Sequence, residues 1–504
     1  MAHPKVVVIG SGFSGLSAAT CLADLGFDVT VLEKNTGPGG RARSFTAEGF
    51  TFDMGPSWYW MPDVFEAYFS KFGKSTSDYY DLMRLDPSYR VIFSEEDQVD
   101  IPASLEELRA LFEKWEPGSA KELDAFLEQA AYKYKVGINQ LVYKPGRSVS
   151  EFMSLQLLMD VLRMDVFQSV HKHIRRFFKH PKIIKLMEFP VLFLGALPEN
   201  TPALYTLMNY ADIKLGTWYP MGGMYKIVEG MVQLAEEKGV KLMFNQDVQE
   251  IQVSDGIATG VSTALDVIEA DIIVASADYH HVETRLLPLK DRSYSDSYWN
   301  SRVMAPSSLL FYLGVGKKLK NMRHHTLFFD EDFGPHAHEI YENPAWPAKP
   351  LFYVCAPSVT DPTVAPEGCE NMFLLIPVAP GLQDSEEVRE YYYNLIMERL
   401  ERITKQEIRS AVIFKRSYAH RDFIQDYNAF KGNAYGLANT LMQTAILKPG
   451  LKSKKVKNLF YTGQLTVPGP GVPPSLISGR VVAAEVAKEY AVTKPVAAPL
   501  VSSI

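Results

Sequence analysis

Lys5–Ile9 (KVVVI) runs straight into Gly10-Ser11-Gly12-Phe13-Ser14-Gly15, and this junction restricts the fold more than any other stretch. A short β-branched run reads as a strand buried on both faces of a parallel sheet. Leu16–Leu25, rich in Ala and Leu, reads as a helix, and Asp28–Leu32 (DVTVL) as a second strand ending at Glu33. Together they make one βαβ unit of about 30 residues. Each glycine has a duty. Gly10 permits the tight turn, Gly12 lets backbone approach a pyrophosphate, and Gly15 lets the helix lie close on the sheet. A phosphate held by this loop, which also carries Ser11 and Ser14, faces the positive end of the helix dipole. Glu33 is placed to accept hydrogen bonds from both ribose hydroxyls, and its charge repels a 2′-phosphate, which disfavours NADP. The alternative is a purely structural glycine turn in a sheet that binds nothing.

Composition narrows the class. The chain has 504 residues with Lys+Arg 52 and Asp+Glu 59, a formal net charge of −7. That length suggests two to four domains or subdomains. With 47% hydrophobic and 22% charged residues, intrinsic disorder is excluded. A pI near 5.9 gives no basic excess for binding nucleic acid. The cysteines Cys21, Cys355 and Cys369 show no CxxC pair or metal-ligand spacing, so a reducing compartment is expected. No apolar run reaches the ~18–20 residues of a membrane-spanning helix, and Met1–Pro4 leaves no room for a signal peptide before the first strand. The expected location is cytoplasmic.

Further along, residues 104–190 change character. Ser104-Leu-Glu-Glu107 is a capping box ahead of an amphipathic stretch, Leu105–Trp115. Helical patterns follow at Ser119–Tyr134, 149–163 and 165–180. Strand patterns return at Lys241–Phe244, Glu250–Val253, Ala270–Ser276, Ser308–Val315 and Phe373–Val378, with helices at Glu386–Arg402 and Pro474–Tyr490. The fold class is therefore α/β: a Rossmann-like dinucleotide domain with an inserted substrate domain and a helical subdomain. The expected division is 1–100, 216–290 and 451–490 for the nucleotide domain, 104–215 for the helical part, and 291–450 for a β-rich substrate domain. Residues 491–504 form a tail.

Motifs beyond the first turn decide the cofactor. Gly39-Gly40-Arg41 follows the ribose-binding acid, a second turn that NAD does not require. It resembles the extended fingerprint of the flavin-dependent amine oxidase and carotenoid desaturase superfamily. That resemblance implies FAD, with Gly40 along the flavin and Arg41 near the diphosphate or the ring; the plain reading of Arg41 and Arg43 is a solvated loop pair. Phe52-Asp53-Met54-Gly55-Pro56-Ser57-Trp58 resembles the FDxGPS stretch of the same superfamily, a turn whose Ser57 and amides can face the flavin. Trp58, Tyr59 and Trp60 fit either core packing or the lining of an apolar tunnel. By the same resemblance Val248 meets adenine through its backbone. Near the end, Gly463 closes a strand, and Gly471-Val472-Pro473-Pro474 opens the last helix, presenting unpaired amides to an electron-rich group. This segment resembles the C-terminal signature of bacterial carotenoid desaturases, and the likeness extends over residues 5–490, closest to phytoene desaturases.

The resemblance implies an FAD-dependent enzyme that introduces double bonds into phytoene-type C40 polyenes by hydride transfer to flavin, with oxygen or a quinone as final acceptor. Alternatives are a later desaturase acting on a hydroxylated carotenoid (a 1′-hydroxy-γ-carotenoid 3,4-desaturase) and a carotene cis–trans isomerase. A lipid-binding escort sharing the fold would have no need of Glu33 or the Gly-Gly-Arg turn. No HExxH, thiol or Ser-His-Asp arrangement appears, so no metal is expected and no catalytic residue is assigned. A C40 hydrocarbon partitions into membranes, so peripheral contact with the inner face of the plasma membrane is expected. Its expected carrier is Asp165–His180 as a basic amphipathic helix ended by Pro181. Oligomeric state has no signal in the sequence.

Overall fold

The computed structural model describes residues 3–148, 151, 164–192 and 196–490. Five parallel strands form one sheet in the order Leu459–Tyr461, Ile272–Ala275, Lys5–Ile9, Asp28–Leu32 and Lys241–Met243. Val6 pairs with Ile272 on one side and Val29 on the other. Its unbroken apolar run is needed because Val6 and Val8 face one core while Val7 and Ile9 face another.

The front helix, Phe13–Asp24, and the closing helix, Val472–Glu489, lie side by side on this sheet. Two glycines make that possible. A Cβ on Gly15 would stand 2.0 Å from the Gly10 carbonyl oxygen, and one on Gly479 would stand 2.3 Å from the Ser14 carbonyl oxygen. Ser17 Oγ locks the pair by donating to the Leu476 carbonyl at 2.7 Å.

A seven-stranded sheet stands beside the parallel one, in the order Val412–Tyr418, Ser307–Val315, Glu370–Val378, Phe352–Cys355, His325–Phe328, Tyr89–Ile92 and Gln98–Ile101. Ser307–Val315 is buried throughout. Leu309, Phe311 and Leu313 pack in the core that also holds Tyr392, Tyr393 and Ile396 of the helix Glu386–Thr404, whereas Leu310 and Tyr312 belong to the opposite core. A small antiparallel sheet of Val248–Ser254, Ile257–Thr263 and Val267–Glu269 completes the β-structure near the parallel sheet.

From Leu105 to Leu215 the described elements are helical, including Leu105–Trp115, Ser119–Val136 and Pro181–Leu192. The expected helix at 149–163 lies outside the described residues apart from Glu151, as does the tail.

The expected basic helix over 165–180 does not form. Only Val170–Ile174 is helical there, capped by Ser169 Oγ accepting from the Lys172 amide. Pro181 starts the next helix instead of ending this one, since proline's fixed φ and missing N–H suit a first turn. Val170, Ile174 and Phe178 are fully buried, so the apolar side faces the core rather than lipid. Asp361, in the loop before Glu370–Val378, is also fully buried; it accepts hydrogen bonds from the Gly222 and Thr363 amides at 2.6 and 2.9 Å.

Candidate active site

Where the parallel sheet, the large sheet and the helices meet, one cleft encloses about 2340 Å³ of unfilled space, part of it open to solvent. Gly10, Gly12, Ser14, Glu33, Gly40, Arg41, Gly55, Pro56, Ser57, Trp58, Val248, Gly463, Gly471, Val472 and Pro473 all line it. Ser11 and Gly15 do not reach its wall. Ser11 is buried, its amide and Oγ both donating to Glu33 Oε2 at 2.9 and 2.7 Å, and Gly15 provides the close backbone approach described above.

Both sheet-packed helices open on this cleft with glycine at the N-cap, Gly12 and Gly471, and neither start carries a side-chain cap. Their first amides are thus free to meet a ligand. Gly471 has φ +110, in the left-handed region where a Cβ is strained. Arg41 adds a cation: its Nη2 donates to the Asn433 carbonyl at 3.3 Å, and the guanidinium stands 5.1 Å from the Tyr427 ring centre. Its Nε is buried with no hydrogen-bond partner among the described residues. Burial pushes the guanidinium pKa down, with Asp278 opposing. Asp278, also on the cleft wall, accepts from the His281 and Phe430 amides at 3.1 and 3.2 Å; burial pushes its carboxyl up. Arg43 is no solvated loop residue either, being paired with Asp426 at 2.6 Å.

Glu33 already accepts four hydrogen bonds: two from Ser11 and two, at 2.9 and 2.8 Å, from the amide and side chain of Asn35. The Ser11 hydroxyl and the Asn35 side chain can rotate away, so the carboxylate can exchange those two bonds for bonds from a ligand.

The opposite end of the cleft is built of rings and aliphatic side chains, among them Trp58, Trp60, Met61, Met208, Leu310 and Tyr353. The aromatic triplet splits by strand alternation: Trp58 and Trp60 face the cleft, while Tyr59 is buried, stacked on Phe65 at 4.5 Å and joined to Tyr80 OH at 3.0 Å. Core packing and cavity lining thus both occur within three residues. Trp60 Nε1 donates to Thr217 Oγ1 at 2.9 Å. Behind it, Asp212 accepts from Tyr89 OH at 2.9 Å, and burial pushes its carboxyl up to about 7. Tyr353 OH donates to Ser57 Oγ at 3.1 Å, and Trp58 stacks on His325 at 4.1 Å.

The match to the flavin containing amine oxidoreductase model spans residues 13–487. Over 476 residues the chain is 41% identical to the carotenoid 3,4-desaturase of Haloarcula japonica, covering 94% of this chain and 96% of that one. The chain belongs to the carotenoid desaturases of the flavin-containing amine oxidoreductase family. The zeta-carotene-forming phytoene desaturase of Myxococcus xanthus is 32% identical, covering 95% of this chain and 93% of its own length. Solved structures share the fold at low identity. An oxidoreductase from Methanosarcina mazei has TM-score 0.61 and 17% identity over 95% of this chain and 100% of its own. Cyclohexylamine oxidase from Brevibacterium oxydans has TM-score 0.57 and 14% identity over 97% and 100%. The cofactor of this desaturase is FAD, and two uncapped helix starts, an arginine whose buried Nε has no partner among the described residues and an acid at the end of the second strand suit a dinucleotide with a diphosphate.

Sequence reading missed one wall of the cleft. Phe423, Asp426 and Tyr427 lie on the helix His420–Tyr427, and Asp426 and Tyr427 hold the two arginines. Their i, i+3, i+4 spacing marks one helix face, the signal that could have revealed them.

Proposed function

We propose that this desaturase holds FAD at the glycine-built end of the cleft and an acyclic C40 polyene of the phytoene type against the rings at the other. The observation that carries the reading is the continuity of one cleft from two uncapped helix N-termini to an apolar aromatic wall. Bound FAD supplies the acceptor for the two electrons and hydride that leave an allylic carbon. The chain's own residues bind and orient. Gly10, Gly12, Ser14, Gly40 and Arg41 take the diphosphate, Ser11 presents Glu33 to the ribose, and Val248 lies along the adenine. Gly55, Pro56, Ser57 and Trp58 border the ring system, with Gly463 and the Gly471-Val472-Pro473 turn opposite, where the closing helix opposes negative charge with its positive end. The apolar side chains exclude water and fix which carbon approaches the flavin.

The proposed division is a nucleotide part (1–100, 216–290, 451–490), a helical part (104–215) and a β-rich substrate part (291–450); Tyr89–Ile92 and Gln98–Ile101, at the end of the first stretch, join the seven-stranded sheet of the substrate part. For membrane contact, support comes from exposed Phe167, Met442, Ile446 and Leu447 rather than from the basic stretch, whose Arg175 is paired with Glu188. No described helix is long and apolar enough to cross a membrane.

The 41% identity to a carotenoid 3,4-desaturase favours a second reading, desaturation of a later, more conjugated carotenoid. Expression in one host making only phytoene and another making a late acyclic carotenoid separates the two. Coloured polyenes in the first host establish phytoene desaturation. A red-shifted product in the second host alone establishes the later step. No new pigment in either, with flavin-loaded protein present, overturns both.

A further inference from the structure

Beyond Trp58 lie three ligand-type side chains that the proposed reaction does not use. One ring nitrogen each of His324 and His325 and the Cys355 sulfur all fall within 4.8 Å of one another. None of the three residues is more than 4% exposed. Strand register brings them together: His325 sits directly opposite Cys355 on antiparallel strands, and His324 immediately precedes the first of these.

Each ring is held by one nitrogen. His324 Nδ1 lies 2.8 Å from Thr360 Oγ1, and His325 Nδ1 lies 2.6 Å from Tyr353 OH. With Tyr353 OH donating to Ser57 Oγ, the tautomer in which His325 Nδ1–H donates to the phenol oxygen leaves a lone pair on His325 Nε2 for a ligand. Nε2 of both histidines is buried without a hydrogen-bond partner among the described residues. Buried polar atoms in native proteins are almost always satisfied, and two unpartnered ring nitrogens on histidines clustered with one sulfur call for an occupant.

We propose that His324, His325 and Cys355 bind a zinc-class cation. Two imidazoles and a thiolate match the nitrogen and sulfur preference of zinc, whereas magnesium and calcium take oxygen ligands. Hydroxyl groups on the far nitrogens fix ring orientation, as partners behind metal-bound histidines do. A small hollow lined by His324, Cys355, Asp53 and Ser57 adjoins the cluster. Both Asp53 oxygens are occupied by amides, from Met224 at 2.7 Å and Tyr225 at 3.0 Å, and the proposal assigns the fourth position to water. On binding, the sulfur–metal bond replaces S–H and the proton passes to solvent. The cation braces the cleft wall by fixing His325, the ring on which Trp58 stacks.

The test uses the full-length, flavin-loaded protein dialysed against Zn²⁺ and then desalted. Elemental analysis is expected to find about one zinc per chain, with affinity falling roughly tenfold or more in Cys355→Ser and His324→Ala. Zinc-edge absorption of the unaltered protein is expected to show one sulfur and two imidazoles, which tests the site even where a variant fails to fold. Zinc absent from the unaltered protein, a shell without sulfur, or undiminished binding in Cys355→Ser overturns the proposal. None of these readouts depends on which carotenoid is desaturated.

Discussion

The two ends of the cleft are made of different material. At one end the binding surface is backbone: glycine turns, helix N-termini and carbonyl-supported charges. At the other it is side chain: indole, phenol, thioether and leucine. Backbone chemistry tolerates almost no substitution, because a Cβ at the wrong place displaces the main chain itself. A wall of rings can be redrawn residue by residue while remaining apolar. On the proposed reading the cofactor end is therefore the rigid half of the cleft, and the hydrocarbon end the half in which a side chain can change without displacing the backbone.

Experiments that break this contrast begin at the backbone. Gly15→Val should leave no soluble flavin-loaded protein, since even one carbon there meets the Gly10 carbonyl at 2.0 Å; soluble yield and flavin absorbance per chain check it. Next comes Asp212 behind the rings. Its carboxyl is raised to about 7 by burial, so the folded chain keeps a proton that the unfolded chain has lost. The stability it gives is complete below the unfolded value near ~4 and disappears as pH rises through about 7, a difference on the order of 4 kcal/mol. Asp212→Asn should flatten that fall in thermal melting between about pH 4 and 8. At the cofactor end again, Arg41→Ala should weaken FAD binding by about 1.5–3 kcal/mol, measured by flavin titration of the apoprotein. Trp60→Phe should leave flavin content intact and lower turnover, with about 1 kcal/mol of stability lost as Thr217 loses its donor. The smallest effect belongs to the basic stretch: charge reversal at Arg175, Arg176 and Lys179 should leave sedimentation with anionic vesicles unchanged.

Legibility in the sequence follows the same divide. Gly10, Gly12, Gly15 and Glu33 could be read at once because a phosphate-binding turn needs glycine at fixed spacing before a helix. Gly471–Pro474 was readable for the same reason. Tyr353, Phe423 and Leu310 were not, because they come from separate strands and helices that only the folded chain places together, and an apolar residue on a strand looks the same whether it faces core or cleft. Asp165–His180 misled through its periodicity. The spacing of Val170, Ile174 and Phe178 correctly marks one buried side, but the sequence alone does not say whether protein or lipid covers it, and Pro181 reads equally as an end or a beginning.

Ser17 and Leu476, which join the front helix to the closing helix, stand 459 residues apart, and the sheet beneath them takes its outer strand from Leu459–Tyr461. Contacts so distant in sequence form late, since the intervening chain must first be ordered. During synthesis the glycine loop leaves the ribosome long before the helix that packs against it emerges. On the proposed reading FAD has no complete site to enter until the closing helix has been made, so a chain terminated upstream of Leu459 should not be rescued by adding cofactor.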